Sequence, residues 1–189
     1  MKKKVTLIAA VVICLAILAT GTLAYFTDAE QVHNIITSGN VKIALEEIFP
    51  GAVPGEEENT MVLTGVMPGQ SVEKEVRVQN TGVGDAWMRV RLTTVFEDKT
   101  LATEINGKDV VTIDLLDGWT EGEDGWYYYN KIVSADNYTT HLFKTVTFAP
   151  EMGNEYQGCT VSILVEAEAV QAANNGKTVL EAAGWPSAS

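Results

Sequence analysis

The chain is poor in the side chains from which most enzymes build their sites. Among 189 residues it has two histidines, His33 and His141, and two cysteines, Cys14 and Cys159. No HExxH, G-x-S-x-G or GxxxxGK string occurs. That removes the helical zinc-protease site, the serine-hydrolase elbow and the phosphate loop. An isolated histidine lacks the convergent groups a site needs, so neither is given a catalytic or metal role and no cofactor is expected. Basic residues are also scarce: 13 Lys and Arg stand against 25 Asp and Glu, for a net charge of -12. Such a surface repels phosphate backbones, which excludes nucleic-acid binding as a function class. Long apolar runs are rarer still, with one, from Val5 to Ala19, at the start of the chain.

That run is framed as an export signal. Lys2, Lys3 and Lys4 precede it, and Thr22-Leu23-Ala24 closes it with small residues at the two positions a signal peptidase reads. It falls short of the ~20 apolar residues a spanning helix needs. We therefore read residues 1–24 as a cleaved signal peptide with processing positions Thr22, Ala24 and Tyr25, and the protein as secreted. Contact with a membrane is expected only through the uncleaved signal. Cleavage leaves 10 basic against 25 acidic residues and Cys159 as the sole cysteine. With no intrachain disulfide available, stability must come from a core. Cys159 precedes an apolar strand and is expected to be a buried, inert thiol.

What the remainder does have is alternation of period two, the strand signal. Val41, Ile43 and Leu45 form one such series. Val72, Val76 and Val78 share a face, with Lys74 the exception. Ala86, Met88, Val90, Leu92 and Phe96 alternate with Trp87, Arg89, Arg91, Thr93 and Glu97 in the longest strand. Val111 to Leu115, Leu142 to Phe148 and Val161 to Ala169 continue the series, and Trp126 to Tyr129 reads as a strand by its aromatic content. Pro50-Gly51, Pro54-Gly55 and Pro68-Gly69 fit type II turns, and Asn80-Thr81-Gly82 and Asn106-Gly107 tolerate positive φ. Short helices are expected at Thr178–Ala183 and Thr100–Ile105. The pattern predicts an all-β, jelly-roll-like antiparallel β-sandwich with one or two short helices. The acidic group Asp114, Asp117, Glu121, Glu123 and Asp124 has no EF-hand spacing and reads as a solvated loop. Trp87, Trp119, Trp126 and Tyr127 to Tyr129 read as core packing rather than a sugar platform.

Around the cleavage site the sequence becomes more specific. Gly21-Thr22-Leu23-Ala24-Tyr25-Phe26-Thr27-Asp28, followed by Ile35-Ile36-Thr37-Ser38-Gly39-Asn40-Val41-Lys42-Ile43, resembles the start of the TasA/camelysin family. Val66 to Lys74, with its Pro-Gly turn, the Asn80-Thr81-Gly82 and Trp87-Met88-Arg89-Val90 stretches, and Glu155 to Val170 continue the likeness. The resemblance implies a secreted bacterial protein of the extracellular biofilm matrix, processed by the signal peptidase SipW. It also implies self-association into fibres, or with related matrix subunits, through an N-terminal strand donated to the next subunit. Residues 25–39 are then the candidate donor strand, with Phe26, Val32, Ile35 and Ile36 as its anchors, and residues 40–189 the sandwich domain. Some members are described as metallo-endopeptidases, which is the enzyme alternative; a cell-surface adhesin is the third. A simpler arrangement, in which residues 25–46 form the first strand of their own sandwich, stays open.

Overall fold

The computed structural model describes residues 35–37, 41–54 and 61–186, with backbone alone for 35–37. All belong to one compact unit, Gln31–Ser189. Among the described residues, fourteen strands account for nearly all of the regular structure. They are β1 Ile35–Thr37, β2 Ile43–Ile48, β3 Val53–Pro54, β4 Met61–Thr64, β5 Ser71–Glu73, β6 Glu75–Asn80 and β7 Ala86–Phe96, followed by β8 Glu104–Ile105, β9 Lys108–Asp109, β10 Val111–Ile113, β11 Trp119–Glu121, β12 Trp126–Tyr129, β13 Thr145–Phe148 and β14 Thr160–Gln171. Helix among the described residues is limited to 3-10 turns at Asn154–Tyr156 and Val179–Glu181.

The longest alternating series found each other. β7 and β14 pair antiparallel over eleven positions, from Ala86 opposite Gln171 to Phe96 opposite Val161. They centre a sheet ordered β11-β12-β7-β14-β4-β3, to which β1 adds on β14. The facing layer is assembled from shorter pieces: β2 pairs with β6, and β5 pairs with β13, which pairs with β10. The segment leading into β13 runs beside β6, since the Thr139 and Leu142 amides donate to the Val78 and Val76 carbonyls. One core lies between the layers. Val76, Val78, Val146 and Phe148 meet Met88, Val90, Val161 and Val165 there, all buried. Each such side chain contributes about 1.5–3 kcal/mol by leaving water.

The all-β, antiparallel expectation holds, and the strand segments read from alternation appear within a few residues of their expected places. The helix expected at Thr100–Ile105 does not form. Its end belongs instead to the β8–β9 hairpin, where Asn106 and Gly107 adopt φ of 54° and 72°. Two positive-φ residues make the tight turn that matches strand twist, and that local chemistry outweighs a weak helical pattern. The C-terminal helix shrinks to the Val179–Glu181 turn. Gly51 and Gly69 take the positive φ expected of their Pro-Gly turns. Asn80, by contrast, acts through its side chain. It is fully buried, its Nδ2 donates to the Gly84 and Val133 carbonyls at 2.8 Å each, and its Oδ1 accepts from the Gly82 amide at 3.0 Å. Asn80 thus locks the β6–β7 connection onto the segment that follows β12. Asn80→Ala removes three side-chain hydrogen bonds, while the Val133 carbonyl keeps the Ala86 amide and the Gly82 amide keeps the Lys42 carbonyl; it is expected to lower stability by about 2–4 kcal/mol, read as a fall in urea midpoint at unchanged slope.

Candidate functional site

Of the residues singled out for processing and strand donation, Thr22, Ala24, Tyr25, Phe26 and Val32 lie outside the described residues, as does His33. Ile35 and Ile36 fall in β1, where Ile35 stands opposite Ala167, Ile36 opposite Glu168 and Thr37 opposite Ala169. This is the parallel pairing among the described ladders; the others are antiparallel.

The edge that receives β1 is unusual. One side of β14 is taken by β7 along nearly its whole length. The other side is shared, with β4 covering residues 160–162 and β1 covering 167–169. Between them, residues 163–166 have no ladder partner on that side among the described residues. β1 also neighbours β2 of the facing layer, so it occupies the seam between the two layers. A three-residue parallel ladder is a weak attachment by itself; what it completes is an edge whose backbone groups are otherwise unpaired.

The receiving half of β14 is held rigid from both faces. Ala167 and Ala169 lie in the core. On the opposite face Trp87, Trp126, Tyr128 and Val170 are buried under the segment after β14, with Val179, Ala182 and Trp185 packed on them. Asn175 fastens that segment: its Nδ2 donates to the Gln171 and Ala183 carbonyls, and its Oδ1 accepts from the Ala183 amide. The alternation in β7 predicts one solvent-facing side; this cover is why positions 86–90 are instead buried on both. The aromatics are therefore packing, as expected.

At the centre of this second face the Arg89 Nε donates to Glu168 at 2.8 Å, and its Nη1 donates to the Tyr128 hydroxyl at 3.1 Å. The guanidinium lies 4.2 Å from the Trp126 ring centre and 4.6 Å from that of Trp185. Arg91 takes the next rung, 4.6 Å from Trp126, and pairs with Glu166. Glu168 is 1% exposed. Burial pushes its carboxyl above the usual glutamate range, while the hydrogen bond and charge of Arg89 pull it back. The residue that stands opposite Ile36 is thus the same one that anchors the buried arginine. Sequence reading missed this pair, although its signal was present in opposite charges at the middle of the two longest strands.

Metal chemistry finds little to use. Among the described residues no three His, Cys, Asp or Glu side chains converge as ligands. His141 Nε2 lies 3.2 Å from Glu75 Oε2, with Lys144 on the same carboxylate, and a lysine is a poor neighbour for a cation. The acidic loop residues are dispersed: Asp114 accepts the Lys144 and Thr145 amides, and Asp124 accepts the Tyr128 hydroxyl. Cys159 is free and partly buried, with burial raising its thiol pKa. Among the described residues, which do not include His33, no donor set fits a zinc centre.

What these features define is an all-β sandwich with an edge completed by its own N-terminal segment. The chain belongs to the camelysin metallo-endopeptidase family, whose model matches residues 1–157. No curated protein and no solved structure matches it.

Replacing Arg89 by Leu leaves Glu168 buried without its cation, and is expected to cost about 3–5 kcal/mol. Because the folded-state pKa of Glu168 is raised, its protonation supports the fold below the ordinary glutamate value, and that support is lost as pH rises through the raised one. Without Arg89 the window moves higher. The deficit of R89L relative to the parent, measured by denaturation, should therefore shrink between neutral and mildly acidic pH.

Proposed function

We propose that this protein is a secreted structural component of a bacterial extracellular matrix, and that the mature chain assembles into fibres by strand donation. In this reading the segment from Tyr25 to Gly39 leaves its own β14 and adds to the equivalent edge of the next subunit. The signal peptide, until removed by a SipW-type peptidase, holds that segment at the membrane. The observation that supports the reading is the shared edge of β14, whose residues 167–169 pair with β1 from the segment after the leader. An extended peptide can donate backbone hydrogen bonds to such an edge and set its apolar side chains into the seam. A head-to-tail contact that does not close produces a filament.

The test is negative-stain microscopy of the mature form beginning at Tyr25, of a form lacking residues 25–39, and of I35P/I36P. Neighbouring residues of a parallel ladder alternate in donating to the partner strand, so the double proline removes a bond in either phase. Fibres from the first protein and none from the other two are expected. Isolated subunits from all three would sink the proposal.

The family description favours one second reading, a camelysin-type secreted metallo-endopeptidase. It predicts casein cleavage by the purified mature chain that a chelator abolishes. Fibres without such cleavage would leave the structural reading standing.

A further inference from the structure

The core-facing side of the smaller layer contains one charged pair. β2 and β6 are registered so that Glu47 stands opposite Val76 and Ile48 opposite Glu75. Lys74, two residues before Val76, lies on the same face as Val76 and Val78, diagonally across from Glu47. Its side chain is wholly buried, that of Glu47 is 3% exposed, and the Lys74 ammonium and Glu47 carboxylate are in direct contact. The Phe49 ring, next along the same face of β2, lies 4.4 Å from the ammonium. On its other side the Lys74 amide donates to the Lys144 carbonyl, so the backbone that carries the amine is held in place. The solvent face of the same two strands offers a comparison. Arg77 and Glu46 pair there with 37% and 42% of their side chains exposed, which is an ordinary surface ion pair.

We propose that Lys74 and Glu47 condense into an intramolecular isopeptide bond that joins β2 to the β5–β6 strand. Moving two opposite charges into an apolar interior is costly, and the pair relieves that cost by passing a proton from the ammonium to the carboxylate. Burial alone pushes Lys74 down to about 7, which favours the neutral amine; the touching carboxylate acts in the opposite direction. The neutral pair, an amine and a carboxylic acid, is the reactant state for amide formation. The Nζ lone pair attacks Glu47 Cδ and the C–N bond forms as the carbonyl electrons move to oxygen. The tetrahedral carbon then expels its hydroxyl oxygen, which leaves as water with the acid proton and one amine proton. No oxidant, metal or further substrate enters. Two held reactants react as if at ~10⁵–10⁸ M, and a site closed to water disfavours the reverse hydrolysis. A chain with one cysteine after processing has no disulfide to brace it, and an amide between adjacent strands supplies a covalent brace insensitive to reductants.

The test is intact mass spectrometry of the denatured, purified mature protein, followed by tryptic mapping. The expected mass is one water below that of the sequence. The peptides carrying Glu47 and Lys74 should appear joined, with no cleavage after Lys74. Glu47→Gln should reach the same final mass, since the amine would then expel ammonia and leave the same amide. Glu47→Ala and Lys74→Arg should keep their full masses and melt at lower temperature. A wild-type protein at full mass, cleaved after Lys74, would overturn the proposal. So would a lost water that persists in Glu47→Ala, which would mean dehydration elsewhere, as at Asp117-Gly118 or Asp124-Gly125.

Discussion

The antiparallel pairing of β7 with β14 is the constraint on which the other elements depend. It takes one edge of β14 almost completely. It sets Met88, Val90, Val161 and Val165 against the facing layer, and Trp87 and Val170 toward the opposite side. Because side chains alternate with period two, a slip of one residue in this ladder would exchange the two faces. The cross-strand charges oppose such a slip: Arg89 faces Glu168 and Arg91 faces Glu166 in this register. The shared edge of β14 is therefore always presented with the same residues at the same height. A three-residue strand can be received there without a long search for register.

Much of this architecture was legible in the sequence because strands buried on one face alternate visibly. β7 and β14 are the clearest cases; β12 was marked by its aromatics, and Asn106-Gly107 by its tolerance of positive φ, although a helix was expected just before it. The short strands β3, β4 and β11 were not legible, since two to four residues carry no period. The double burial of Trp87 and Arg89 could not be inferred from β7 itself; it depends on a cover supplied almost ninety residues later, as the Trp87 Nε1 bond to the Asn175 carbonyl makes plain. Lys74 was visible as an exception on an apolar face. Its partner was not, because Glu47 looks like any strand-end acid until the register of β2 against β6 places the two diagonally. Asn80 read as a turn former, and the structure makes it a buried clamp instead.

The family description names a metal-dependent activity, and the architecture concentrates other features. A hydrolytic metal centre needs side chains that converge, and the histidine of the described residues is engaged with Glu75 beside Lys144. The features that this fold does concentrate are backbone edges and braces: a shared edge on β14, a pinned C-terminal segment and a buried Lys–Glu contact. The first two lie on or next to β14, and the third links β2 to the segment between β5 and β6.

The cover over the second face has an optical consequence. Of four tryptophans, Trp87, Trp126 and Trp185 all belong to that outer cluster, and Trp119 packs in the main core. Two of the three outer indoles sit against the Arg89 guanidinium. The intrinsic fluorescence of this protein is thus weighted toward a peripheral cluster and away from the interior. Detachment of the C-terminal segment would change the emission while the strands stay paired, so a fluorescence transition and a far-ultraviolet dichroism transition need not coincide. Where they separate, the first reports the seam between segment and sheet and the second the sandwich itself.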